Sequence, residues 1–321
     1  MNGFHLTPTV LLSKREGHVD SFEWSPCGRW LAESRRKRGG IRLWSFEGTT
    51  PVAGPIVPVS GLGEGVSSWG SLRWSPDGRG LSISAGQNVR VFDVGAEGAL
   101  TERWATSCAP ATRERTAWRP DGTALAMTSG DGVVLLDAGS GERTFEFSFR
   151  LRKNELTSVL EWAPDNQRLA VGTSTGLFGV NVSTNAICLD VGARMVMGAR
   201  WWSDDVVLFT IDDRLYAWNP RRQEGAGQAK LPEYAKSLTL SADRTLAAVM
   251  LHGRLIVLRT PPPTYGPEPA TLQVVADVLL NDVKKPVGVW AEFHPSEPRL
   301  AVHTGGANAI QIYTWNPASL T

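Results

Sequence analysis

Eleven cations stand in four short clusters of this chain: Lys14 and Arg15, then Arg35-Arg36-Lys37-Arg38, then Arg113 and Arg115, then Arg150, Arg152 and Lys153. Guanidinium and ammonium groups packed this densely can recognise carboxylates or phosphates, and Arg does so with a planar two-pronged fork. The competing reading is a solvated polar rim, because Glu16, Glu114 and Glu155 are interspersed among them. Net charge is only +1, so a charge-driven partner must use such a local patch rather than the whole surface.

Other residue types that could do chemistry are present without the spacing that chemistry needs. The histidines, His5, His18, His252, His294 and His303, are too scattered to converge on a metal, and isolated structural or surface roles are expected for them. Gly61-Leu62-Gly63-Glu64-Gly65 is followed by no Lys-Ser/Thr and no helix, so it reads as a connecting loop rather than a phosphate cradle. The paired acids Asp204-Asp205 and Asp212-Asp213 fall in hairpin turns, where Asp serves turn geometry. Cys27, Cys108 and Cys188 are scattered and read as reduced, mostly buried thiols of a cytoplasmic protein. The start Met1-Asn2-Gly3-Phe4-His5 lacks the basic and apolar regions of a signal peptide, and no apolar run is long enough to span a membrane. The expectation is therefore no enzyme, no cofactor, no metal and no membrane.

What positions the cations is a repeat. Trp74-Ser75-Pro76-Asp77-Gly78 recurs as Trp24-Ser25-Pro26-Cys27-Gly28, Trp118-Arg119-Pro120-Asp121-Gly122 and Trp162-Ala163-Pro164-Asp165-Asn166, with looser copies at 201–205, 240–244 and 293–297. The anchors at 24, 74, 118, 162, 201, 240 and 293 give a period near 45 over a 42% apolar chain of 321 residues. Each anchor is followed by Leu31, Leu81, Leu125, Leu169, Leu208, Leu246 or Leu300 inside a short alternating run, then by a third run such as Ile41-Arg42-Leu43-Trp44. Alternation with β-branched and aromatic residues predicts strands. Proline ends the first strand because it cannot donate to the ladder, and Asp-Gly supplies the positive φ of a tight hairpin.

A fourth strand follows in each unit, for example over 99–105, 143–149 and 272–280, and near 55–60 in the first. The seventh unit lacks one after its third strand at 310–315, and residues 9–13 at the start of the chain are left over. The reading is an all-β fold, a seven-bladed β-propeller of four-stranded antiparallel blades spanning 1–321 as a single domain. The N-terminal strand would complete the last blade and latch the ring.

These residues resemble the WD-repeat β-propeller family across essentially the whole chain. The resemblance rests on Gly17-His18 before the first anchor, the repeated Trp-Ser-Pro-Asp-Gly, and third strands of the form Ile41-Arg42-Leu43-Trp44. No repeat ends in Trp-Asp; Trp44-Ser45, Phe92-Asp93, Leu136-Asp137, Trp218-Asn219 and Trp315-Asn316 stand there instead, so the family's buried His-Asp-Ser-Trp network is at most partial, at His18 and Trp44. The resemblance implies that the segment entering each first strand and the hairpin after each second strand share one face. The cation clusters would then form a basic arc on it.

Seven of the thirteen tryptophans, Trp24, Trp44, Trp74, Trp118, Trp162, Trp201 and Trp218, fall at repeat positions that pack between sheets, and Trp315 lies close to one. Trp30, Trp69, Trp104, Trp202 and Trp290 are left unexplained. Trp69 and Trp290, near the starts of their first strands, are candidate interface anchors. The proline-rich run 261–269 reads as an extended insertion that the ring tolerates, with a docking peptide as the minor alternative. The residues just before the anchors, Glu23, Arg73, Ala117, Glu161, Arg200, Thr239 and Glu292, should form one layer, with Glu23 pairing Arg73 and Glu161 pairing Arg200; a ligand role is the minor alternative for Glu292. The functional expectation is a scaffold, monomeric alone and joining a larger complex, that binds an acidic segment of a protein partner on the basic face. The alternative is a polyanion or nucleic acid on the same arc.

Overall fold

The computed structural model describes residues 5–12, 19–35, 39–48, 50–59, 71–85, 88–107, 115–130, 132–149, 155–192, 194–265, 270–280, 290–304 and 309–320. Every anchor opens an antiparallel sheet. The chain divides into two compact units, His18–Gly192 and Met1–Gly17 with Ala193–Thr321.

The first unit holds four sheets. Sheet 1 is built on Val19–Trp24, Trp30–Arg35 and Gly40–Ser45, and its outer edge is two short pieces, Val52–Ala53 and Val57–Pro58, both paired to the third strand. The single fourth strand expected near 55–60 is thus broken in two. Sheets 2, 3 and 4 are four-stranded meanders starting at Ser71–Trp74, Thr116–Trp118 and Thr157–Trp162. Apolar residues of consecutive sheets interleave: Ala32, Ile41 and Leu43 with Leu72 and Trp74, Val89 and Val91 with Trp118 and Met127, and Ala126 and Leu135 with Leu160 and Trp162. The anchor Trp thus packs onto the preceding sheet, as a large apolar side chain on a two-faced strand must.

The second unit holds sheets 5, 6 and 7, which start at Val196–Trp201, Ser237–Leu240 and Ala291–Phe293. The seventh is completed by Thr7–Leu12, which pairs antiparallel with Ala309–Thr314, so the outermost strand comes from the start of the chain as the leftover run at 9–13 foretold. Among the described residues the one helical segment is the 3-10 turn Pro317–Leu320, and no helix is long and apolar enough to cross a membrane.

The seven expected leucines are all buried, none more than 2% exposed. Two of them sit one residue off the common register. The shorter sheet 5 hairpin pairs Trp201 with Val207 and leaves Leu208 opposite Arg200, and in sheet 6 Leu240 pairs with Ala247 rather than Leu246.

The motif turn has the same construction in five sheets. In sheet 2, Gly78 N donates to Ser75 O at 2.9 Å, Gly78 takes φ +70°, and Ser75 N donates to Gly80 O at 2.8 Å: a type I turn followed by a left-handed residue. Gly28, Gly122, Asn166 and Arg244 take the same left-handed position. Asp77 Oδ1 accepts Arg79 N at 3.0 Å and Ser75 Oγ at 2.5 Å, and Asp121, Asp165 and Asp243 accept the equivalent N–H of Thr123, Gln167 and Thr245. These bonds favour the carboxylate. Beside the Arg119 guanidinium, 2.6 Å away, Asp121 is pulled down to about 2; at Asp77, Asp165 and Asp243 burial pushes the other way and is outweighed by hydrogen bonds. Cys27 fills this position in sheet 1 and is exposed, which corrects the expectation of buried thiols; Cys188 is half-buried, and burial raises its pKa. Cys108 lies outside the described residues.

The proline-rich segment is not a free insertion. It leaves sheet 6 after Arg254–Arg259, crosses to sheet 5, and at Ala270–Thr271 pairs parallel with Glu224–Lys230 as that sheet's fifth strand. It then re-enters sheet 6 as Gln273–Leu279. Tyr265 anchors it: its hydroxyl accepts Asn219 Nδ2 at 2.9 Å, and the Arg222 guanidinium lies 4.4 Å from its ring centre. A Cβ on Gly227 would stand 2.8 Å from Ala270 O, so glycine is what lets the strap approach. Gly227→Val should therefore cost about 1–3 kcal/mol, although valine is the better strand former. It should also speed proteolysis within the strap. An unchanged or raised denaturation midpoint would show that the strap is not docked there.

Candidate interaction face

In an antiparallel meander the hairpin between second and third strands lies at the end where the first strand begins. In sheet 1 the register puts Val19 opposite Arg35 there. Of the candidate cations, Arg35 and Arg115 are the two among the described residues.

Arg35 is not a surface group. It is the last residue of Trp30–Arg35, only 1% exposed, and its Nε stands 2.7 Å from Oε1 of Glu33, which is fully buried. Arg42, opposite Glu33 on the next strand, brings Nη1 to 3.9 Å from the same oxygen and lies 5.4 Å from the Trp44 ring centre. Arg115 is also buried, on the approach to Thr116–Trp118, where its backbone is clamped by Thr128: Arg115 N donates to Thr128 Oγ1 at 2.9 Å and Thr128 N to Arg115 O at 3.0 Å. Both corrections have one cause. Each stands at the edge of its cluster nearest the sheet, Arg35 as the last strand residue and Arg115 just before the strand, and so inherits an inward position where a charge must be paired. Lys14, Arg15, Arg36, Lys37, Arg38, Arg113, Arg150, Arg152, Lys153 and Trp69 lie outside the described residues, as does His18. Trp290 is half-buried at the entry to sheet 7, its carbonyl accepting His303 N at 2.9 Å.

Behind this face the first strands are tied together. Trp74 Nε1 donates to Glu23 O, Trp118 Nε1 to Arg73 O and Trp162 Nε1 to Ala117 O, each at 3.1 Å. The acceptor is always the residue just before the preceding sheet's anchor, so one side chain serves as core plug and as hydrogen-bond tie. Glu23 adds its carboxylate: Oε2 accepts Trp74 N at 2.5 Å and Oε1 lies 3.6 Å from Arg73 Nη1, the first of the two expected pairs. In the other unit Arg200 Nη2 is 3.4 Å from Glu292 Oε1, and Thr239 Oγ1 donates to Glu292 Oε2 at 2.9 Å. Glu292 is thus engaged by its neighbours.

The tryptophans left unexplained by the repeat have places as well. Trp104 Nε1 donates to Ala138 O of the next sheet at 3.0 Å, Trp30 borders a small pocket with the turn at Glu97-Gly98, and Trp202 belongs to the core between sheets 5 and 6. The residues standing where the family has Asp are turn caps: Asp137 Oδ1 accepts Gly139 N and Ser140 N, and Asn219 Oδ1 accepts Arg221 N and Arg222 N, all within 2.8–2.9 Å. Among the described residues no three His, Cys, Asp or Glu side chains gather as a metal site.

No family model matches the chain, and no curated protein matches it in sequence. Solved structures do. The β-propeller domain of Cps50 (Swd1) from Myceliophteria thermophila superposes with a TM-score of 0.72 at 16% identity, covering 97% of this chain and 99% of that one. A chain of a mitotic checkpoint complex gives 0.77 at 15% identity, covering 97% and 92%. The C-terminal WD40 domain of Sif2 gives 0.68 at 14%, covering 96% and 98%. With seven sheets, the recurring tryptophan turn and a first strand that completes the last sheet, the chain has the fold of a seven-bladed WD40 β-propeller.

Proposed function

We propose that this propeller is a non-catalytic scaffold that binds an acidic segment of a protein partner. The binding groups are the nine cations that remain when buried Arg35 and Arg115 are set aside: Lys14, Arg15, Arg36, Lys37, Arg38, Arg113, Arg150, Arg152 and Lys153, with Trp69 and Trp290 as anchors. The observation that carries the reading is the contrast in charge balance. Within each unit a first-strand acid pairs with a first-strand base, Glu23 with Arg73 and Glu292 with Arg200, whereas the sequence concentrates cations in the connecting segments. A rigid layer beneath a charged surface favours binding with little reorganisation. One similar structure is a chain of a mitotic checkpoint complex, which supports an assembly role for the fold.

Reversing Arg36, Lys37 and Arg38 together to Glu should leave the unfolding free energy within about 0.5 kcal/mol of the wild type, as surface changes do. It should also abolish capture of partners recovered by the wild-type protein from its native source. Retention of the same partners overturns the proposal. A polyanion or nucleic acid on the same arc would instead show affinity falling steeply with salt, with a log–log slope set by the number of phosphates neutralised.

A further inference from the structure

A cleft of about 240 Å³ opens between sheets 6 and 7 at the end of those sheets that carries their motif turns. One wall is the sheet 6 turn from Ser241 to Leu246, the other the sheet 7 turn from Phe293 to Pro298, and Trp315 and Pro317 close the back. The half-buried Trp315 ring stands edge-on to Phe293, 5.8 Å between centres at 85°. Pro295, Pro298 and Pro317 bring no N–H, so these walls are apolar and carbonyl-bearing.

The polar content of the cleft has one sign. Asp243 Oδ1 accepts Ser241 Oγ at 2.6 Å and Thr245 N at 3.1 Å, and both its oxygens accept Thr245 Oγ1 at 2.9 Å. Three neutral donors, the Thr245 hydroxyl being shared between its two oxygens, hold it as an exposed carboxylate, and among the described residues no cation pairs with it. Two of its counterparts differ, Asp121 with Arg119 at 2.6 Å and Asp165 with Arg168 at 2.6 Å, whereas Asp77 of sheet 2 is held by the same kind of neutral donors. The one cation beside it in sequence, Arg244, reaches away, Nη1 donating to Trp202 O at 3.2 Å. Glu297 is already paired, with Arg299 at 2.7 Å. His294 is buried with Nδ1 accepting the N–H of Glu297 and Ser296 at 3.0 and 3.3 Å, which places the ring proton of its neutral form on Nε2.

We propose that this cleft is a second binding site, which accepts an arginine or lysine side chain from an extended segment of a partner protein, its charge set against Asp243 and its stem and head over the Trp315 face. A carboxylate and a half-exposed indole lining one cleft offer a cation Coulomb and cation–π attraction, and the flanking proline walls suit an aliphatic stem. The site is separate from the basic segments and selects the opposite charge.

The test uses the full chain and three probes, N-acetyl-arginine methylamide, N-acetyl-lysine methylamide and N-acetyl-norleucine methylamide, followed by saturation-transfer NMR and titration. Arginine and lysine probes should bind at least about fivefold more tightly than norleucine. Asp243→Asn, which keeps the acceptor for Thr245, and Trp315→Leu should each remove that preference. Should Asp243→Asn loosen the turn, Trp315→Leu carries the test alone, because its ring is not part of the turn. Equal binding of the three probes, or a preference that survives Trp315→Leu in the folded protein, overturns the proposal.

Discussion

Replacing Arg35 by alanine is expected to cost about 3–5 kcal/mol of stability, the penalty for stripping one partner from a buried ion pair. Glu33 is fully enclosed, with Arg35 at 2.7 Å and Arg42 at 3.9 Å from the same carboxylate oxygen. With Arg35 gone, the carboxylate loses the charge-assisted hydrogen bond it receives at 2.7 Å. The effect should be coupled: Glu33→Gln, Arg35→Ala and the double variant, followed by urea titration, should give a double-variant cost well below the sum of the singles. The contrast with Arg36, Lys37 and Arg38 is what makes the result decisive. Four consecutive cations look alike in sequence; the first should act on folding and the other three on binding. An Arg35→Ala protein within about 1 kcal/mol of the wild type would mean that the pair is open to water, where such interactions contribute little.

That boundary inside a run of cations illustrates what the sequence could and could not tell. Repeat, strand order and turn were legible because each depends on local chemistry: proline stops a ladder, a left-handed residue closes the turn, and a leucine at fixed spacing falls in the core. The exchange of Thr7–Leu12 into the last sheet was legible by counting strands. Burial of Arg35 was not, because the sign of a residue says nothing about where the strand ends within a basic run. Nor was the strap. Proline and glycine mark 261–269 as irregular, yet the two residues that pair with sheet 5, Ala270 and Thr271, carry no pattern, and only Gly225 and Gly227 on the receiving strand hint at a close approach. The Arg200–Glu292 contact was missed for a geometric reason: the pairing rule considered adjacent sheets, whereas a long guanidinium can reach past the short Thr239 to the sheet beyond.

Trp118→Ala should cost about 3–5 kcal/mol, the range for emptying a buried large aromatic site. Its ring is 8% exposed and packs in one cluster with Val89, Val91, Leu125 and Met127 of sheets 2 and 3, so its loss opens a cavity between two sheets rather than within one. Trp118→Phe separates the two roles of the indole. Phenylalanine keeps most of the apolar surface but cannot donate to Arg73 O or to Ser82 Oγ, both 3.1 Å from Nε1. One hydrogen bond is worth about 0.5–1.5 kcal/mol net, so Trp118→Phe should fall between wild type and alanine, about 1–2 kcal/mol down. Ser82 Oγ also donates to Arg73 O at 3.2 Å, making a three-membered network. Ser82→Ala and Trp118→Phe should therefore be non-additive when combined. The same indole-to-carbonyl tie recurs at Trp74 and Trp162, so Trp162→Phe should reproduce the loss through Ala117 O. If both phenylalanine variants were as stable as the wild type, the tryptophans would be plugs only, and the hydrogen-bonded ladder between sheets would have no energetic role.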